Sequence, residues 1–183
     1  TWQNGSPNGS FENNYQYAPD EQHTLDGNFC WVTQINPSKN TTDIGAADVD
    51  AGKTTLVSPV LTLSEHSNPA ISYYRWYSNV NGANPGTDWF QVEVSDDGTN
   101  WVYVENTNVS DNSWRRNAFR VKDYVNITDN VQVRFVASDS TTLGEDLDGG
   151  SLIEAALDDI YIWDEAETDE TDFEGNQGVS VDE

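Results

Sequence analysis

Residues 89–101 read Trp89-Phe90-Gln91-Val92-Glu93-Val94-Ser95-Asp96-Asp97-Gly98-Thr99-Asn100-Trp101. Apolar and polar side chains alternate as far as Val94, with Phe90, Val92 and Val94 on one face and Trp89, Gln91 and Glu93 on the other. A strand with one buried and one wet face belongs to an antiparallel sheet. Asp96-Asp97-Gly98 then reads as a hairpin turn, because Gly takes positive φ at little cost. Residues 131–137 repeat the alternation: Val131, Val133, Phe135 and Ala137 face one way, Gln132 and Arg134 the other. Further runs bounded by Gly, Pro, Asn and Asp fall at 29–34, 54–63, 70–78, 101–105, 113–122 and 157–163. Helix signals are nearly absent. About eight strands at this spacing predict an all-β fold, a two-sheet antiparallel β-sandwich of jelly-roll type.

The 183 residues suffice for one domain with a proper core. Residues 1–163 are expected to form it, with 1–28 irregular but docked, and 164–183 to be an acidic linker or tail. Acidic residues number 32 against 8 basic, a net charge of −24. The body is acidic in its own right, because 164–183 holds only nine of those acids. A field of that sign repels phosphate backbones and anionic lipid, so neither nucleic acid nor membrane insertion is expected. No apolar run approaches the roughly 18 residues of a membrane span. Cys30 is the single cysteine, which excludes an internal disulfide and Cys-based zinc motifs; Phe29-Cys30-Trp31 reads as buried packing. The start, Thr1-Trp2-Gln3-Asn4-Gly5, reads like the middle of a longer protein. With abundant Asn, Asp, Ser, Thr and Gly, the chain is expected to be secreted or at the cell surface.

Two acidic segments stand out, Asp48-Val49-Asp50-Ala51-Gly52 and Glu154-Ala155-Ala156-Leu157-Asp158-Asp159-Ile160. Each sets carboxylates beside a strand-like apolar run, where burial without a partner is expensive. Basic residues are too few to pair them all, and hard oxygen ligands suit calcium. Asp48 and Asp50, two apart in a turn, can converge on one ion, and the alternative is solvated, turn-forming aspartates. Asp146-Leu147-Asp148-Gly149-Gly150 has a local calcium-loop look and reads as a flexible loop.

The order of Phe11-Glu12, residues 48–59, Ile71-Ser72-Tyr73-Tyr74-Arg75-Trp76-Tyr77-Ser78, the 95–101 turn and residues 154–162 resembles the MAM-like jelly-roll domains. That family includes the cleaved-adhesin modules beside secreted bacterial peptidases. The likeness covers most of 10–163 and implies a secreted, non-catalytic, calcium-stabilised β-sandwich. By position it implies Glu12, Asp48, Asp50 and Asp158 as calcium ligands, with Asp159 or Glu154 as a further one. Eukaryotic MAM domains carry paired cysteines, which this chain lacks, so their receptor-adhesion role is not carried over.

Seven Trp and eight Tyr supply rings that pack in cores or stack on sugars and partner surfaces. Trp76, Trp89, Trp101 and Trp114 are the candidate ligand-binding rings, with Tyr73, Tyr74, Tyr77 and Tyr103 near them; core packing is the alternative for each. Arg75, Arg115 and Arg116 either offer forks to a ligand or neutralise the acidic surface. His23 and His66 sit in no catalytic motif. A pair of carboxylates acting on a glycoside is the one enzymatic reading left. The expected function is therefore a calcium-stabilised binding or adhesion module, holding glycan or surface protein and joined to neighbouring domains. The alternative is a structural spacer beside a secreted hydrolase. Exposed rings along one sheet favour the first, and buried rings with an apolar edge patch favour the second.

Overall fold

A computed structural model describes residues 1–49, 52–82, 84–139 and 151–164. Its strands are β1 (Gln3–Gly5), β2 (Ser10–Glu12), β3 (Tyr15–Ala18), β4 (Cys30–Val32), β5 (Lys53–Val57) and β6 (Pro69–Gly82). They continue as β7 (Trp89–Ser95), β8 (Val102–Thr107), β9 (Arg115–Arg120), β10 (Gln132–Ser138) and β11 (Ser151–Asp164). A five-stranded sheet, β1-β4-β11-β6-β9, faces a four-stranded sheet, β5-β10-β7-β8, and β2 pairs with β3 alone. Every strand pairing is antiparallel. From β4 onward the chain crosses between the sheets at each connection except the β7–β8 hairpin, which is the jelly-roll path. The expected β-sandwich is thus the observed fold.

The inward faces follow the alternation. Phe90, Val92 and Val94 of β7 meet Val133, Phe135 and Ala137 of β10, and these pack against Ile71, Tyr73 and Tyr77 of β6 and Ile153, Ala155 and Leu157 of β11. The β7–β8 turn forms as read: Gly98 has φ +73, and Asp97 Oδ1 accepts the backbone N–H groups of Thr99 and Asn100, both at 2.7 Å. β5 ends at Val57 rather than residue 63, because Pro59 has no N–H to give the ladder.

Two boundaries differ from the sequence reading. The expected irregular stretch 1–28 holds β1, β2 and β3, and β2–β3 turns through Asn13 and Asn14 at φ +50 and +67. Asn tolerates the left-handed region that a two-residue hairpin turn needs. Asp164, expected in the tail, is the last residue of β11. It accepts the backbone N–H of Asn68 at 3.0 Å and lies 3.2 Å from His66 Nδ1. The rest of the expected tail, and the 146–150 loop, lie outside the described residues.

Candidate functional site

The two sheets treat their outward faces differently. On the five-stranded sheet, residues 15–29 cross the outer surface and close a second small core of Cys30, Val32, Trp76 and Ala156, with Ile35 and Trp114 at its edge. Trp76 is 5% exposed and donates from Nε1 to Tyr17 O at 2.6 Å. Trp114 donates to Glu21 O at 3.2 Å and packs edge-on to Trp76 at 6.2 Å. These two candidate rings therefore hold the N-terminal segment down and present no stacking platform. Trp76 thus takes the packing alternative that the sequence left open, covered by β3.

On the four-stranded sheet the outward side chains form rows set by the register. One row runs Val57, Arg134, Glu93, Tyr103, the next Thr55, Val136, Gln91, Asn106, and the third Lys53, Ser138, Trp89. Arg134 donates from Nε and Nη2 to the two oxygens of Glu93 at 2.6 and 3.0 Å. Its guanidinium carbon sits 4.3 Å from the centre of the Trp101 ring. Gln91 donates to Asn106 Oδ1 at 3.1 Å and lies 3.4 Å from the Tyr103 hydroxyl. Tyr103 is 52% exposed and Trp89 36%. The candidate rings Trp89 and Trp101 thus share one face with Tyr103, a ring the sequence reading set among the neighbours.

The charge of this face is unlike that of the chain. Its three rows carry two cations, Lys53 and Arg134, and one carboxylate, Glu93, on a protein of net −24. Glu105 of β8 faces inward instead, where it accepts from Arg75 Nε at 2.7 Å, the Tyr73 hydroxyl at 2.8 Å and Asn117 at 2.8 Å. Arg75, offered by sequence as a surface fork, is 6% exposed and also donates to Asp111 at 2.9 Å. A near-neutral surface of rings, amides and one preset guanidinium can stack on an apolar ligand face and exchange hydrogen bonds with hydroxyls.

Of the five residues expected to bind calcium, the four that are described, Glu12, Asp48, Asp158 and Asp159, are not brought together as one set. Asp158 accepts the backbone N–H groups of His23 and Thr24 at 2.9 and 3.1 Å. Asp159 lies 2.7 Å from His23 Nδ1 and accepts the Thr24 hydroxyl at 2.6 Å. Burial alone would raise the Asp159 carboxyl, but the His23 and Thr24 hydrogen bonds outweigh it and hold it below the usual range. Glu12 is exposed beside Asn81. Asp48 is buried next to Glu154, and Asp50 lies outside the described residues. Among the described residues no three His, Cys, Asp or Glu side chains converge as a metal set. Asp158 and Asp159 fasten the 23–24 turn through their own hydrogen bonds, away from Glu12 and Asp48 among the described members of the set implied by the resemblance.

No protein-family model matches the chain, and no curated protein matches it. Among solved structures the chain is similar to TmCBM61 in complex with beta-1,4-galactotriose, at 13% identity and a TM-score of 0.42, covering 78% of this chain and 74% of that one. It is similar to a family 16 carbohydrate-binding module at 10% identity and TM-score 0.40, over 81% and 84% of the two chains. A carbohydrate-binding module specific for non-crystalline cellulose, CBM28, follows at 13% identity and TM-score 0.34, over 78% and 79%. The specific MAM-like family is not among these. Likeness this distant carries no function, which rests on the side chains themselves.

Proposed function

We propose that this domain is a non-catalytic glycan-binding module of a secreted or cell-surface protein, and that uncharged sugar chains lie along the outer face of its four-stranded sheet. The observation that carries it is the grouping of Trp89, Trp101, Tyr103 and Arg134 on one near-neutral face of an otherwise acidic chain. Rings supply stacking area at low entropic cost. Arg134 is already fixed by Glu93 and Trp101, so little ordering remains to be done on binding. The acidic remainder disfavours uronic-acid polysaccharides by like-charge repulsion. Among the described residues no helix is long and apolar enough to cross a membrane.

The test is affinity gel electrophoresis against a panel of uncharged and uronic-acid polysaccharides. Retardation by at least one uncharged polymer and by none of the acidic ones is the expected result. Free migration through every uncharged polymer would overturn the reading.

One observation favours the spacer reading. A groove of about 240 Å³ at the seam of the two sheets is lined by Trp31, Leu56, Val57, Pro59, Ile160 and Ile162, among others. A neighbouring domain seated there needs no sugar. Firm binding to such a domain, with no polysaccharide retarding the chain, would support it.

A further inference from the structure

Two isoleucines on the inner side of β11 are left uncovered. Ile162 is the cross-strand partner of the core residue Ile71, so it faces into the sandwich, as does Ile160 two positions earlier. They are nevertheless 41% and 44% exposed. The cause is the strand beside them. β4 is three residues long and meets β11 only at Ala156 and Leu157. Beyond that point the β11 register shifts, with Asp159 at φ +48. Residues 160–164 then keep β6 as their one strand partner among the described residues.

At this level β11 is an edge strand, and an edge presents unpaired backbone groups. In an antiparallel strand alternate residues turn N–H and C=O away from a given neighbour, so part of 160–164 directs them away from β6. Beside this edge lies the seam groove of about 240 Å³, lined by the core residues Ile71, Val133 and Phe135 as well as by Ile160 and Ile162. No charged side chain lines it. An engineered cavity of about 150 Å³ holds benzene, so this groove takes roughly one or two aliphatic side chains.

The open backbone and the apolar groove together select the occupant. A lipid chain or a helix would fill the groove and leave the backbone of 160–164 unpaired. An extended segment does both, pairing its main chain and sending alternate side chains into the groove. Asp159 and Asp164 bracket this edge on a chain of net charge −24. Basic residues at the ends of the segment suit that field, and a second copy of this acidic chain does not.

We propose that residues 160–164 are a strand-addition site for an extended segment of a partner polypeptide, with apolar residues at alternate positions and Lys or Arg at its ends. The site uses none of Trp89, Trp101 and Tyr103, so it stands independently of the glycan reading.

The experiment titrates the full chain with a short peptide of alternating Val and Thr capped by lysines, followed by fluorescence anisotropy and by hydrogen exchange. Saturable binding is expected, with slowed exchange at amides within 160–164. Methylating the peptide's backbone nitrogens should weaken binding by at least about tenfold. Ile162→Asn should do the same, while Trp89→Ala binds the peptide as wild type does. Should Ile162→Asn fail to fold, the methylated peptide carries the comparison on the wild-type chain. The proposal falls if the unmodified peptide does not bind, or if exchange slows elsewhere and not at 160–164. Equal binding of the methylated peptide gives the groove to any apolar body, a neighbouring domain's surface included, and overturns strand addition. A chain that sediments as a dimer with these amides already protected assigns the edge to a second copy and overturns it as well.

Discussion

The guanidinium of Arg134 lies 4.3 Å from the centre of the Trp101 ring, on the outer face of the four-stranded sheet. The same group forks onto Glu93, which is 6% exposed. Arg is suited to this double task because its planar fork pairs bidentately while its face stacks on an aromatic ring. Arg134→Lys keeps the charge and loses both geometries. A loss of about 1–2 kcal/mol in urea unfolding is expected. An unchanged urea midpoint would show that the pairing is incidental.

Inside the sandwich, Arg75 holds Glu105 through Nε and Nη2 at 2.7 and 2.6 Å and Asp111 through Nη1 at 2.9 Å. Removing the cation leaves the mostly buried Glu105 with only the Tyr73 hydroxyl and Asn117 as donors. Arg75→Ala should therefore destabilise by roughly 3–5 kcal/mol, the range for breaking a buried ion pair from one side. Chemical denaturation measures it, and a loss below about 1 kcal/mol, the surface-pair range, would contradict the network.

Asp97 in the β7–β8 turn is held well below the usual carboxylate range by the backbone N–H groups of Asn100 and Thr99 and by the Asn100 side chain. With the folded value depressed, its contribution to stability is complete above the unfolded value of about 3.9 and disappears as pH falls through the folded value. The Tm difference between wild type and Asp97→Ala should accordingly be constant from pH 7 to about 5 and shrink under more acid conditions. A difference that grows on acidification has the wrong sign for this turn.

Cys30 is 2% exposed, and burial first, then the nearby Asp158, push its thiol up to about 12. Little thiolate exists at neutral pH, so alkylating reagents should label native protein only at its rate of unfolding. Fast labelling of folded chain would mean that residues 15–29 do not cover the second core.

What the sequence showed depended on how local each cause is. The 89–101 hairpin was legible because period-two alternation and an Asp-Gly turn both lie within thirteen residues. The Asn13-Asn14 turn carried a comparable signal, since paired Asn suits two successive positive φ values. It went unread because the flanking strands are only three and four residues long, too short for alternation to show. For Trp76 the sequence left ligand stacking and packing both open, because only the tertiary path of β3 decides whether its face is covered. The Asp158-Asp159 doublet looked like a metal motif, yet Asp159 sits at φ +48 where the β11–β6 register shifts, and both side chains are satisfied by the 23–24 turn. Glu154 stood out as a carboxylate beside an apolar run, but its burial is decided by residues 33–49, which lie far from it in sequence.

The proposed glycan site on the outer face of the four-stranded sheet depends on its exposed rings. Trp89→Ala/Tyr103→Ala removes the two most exposed rings of that face without entering the core. Tyr161→Ala removes a ring of β11, 58% exposed, and serves as control. On a glycan array the wild type and the Tyr161 variant should bind the same uncharged glycans. The double variant, folded by its melting curve, should lose at least about tenfold in affinity, as expected for rings worth about 1 kcal/mol each. Equal binding by the double variant and the wild type would contradict the account.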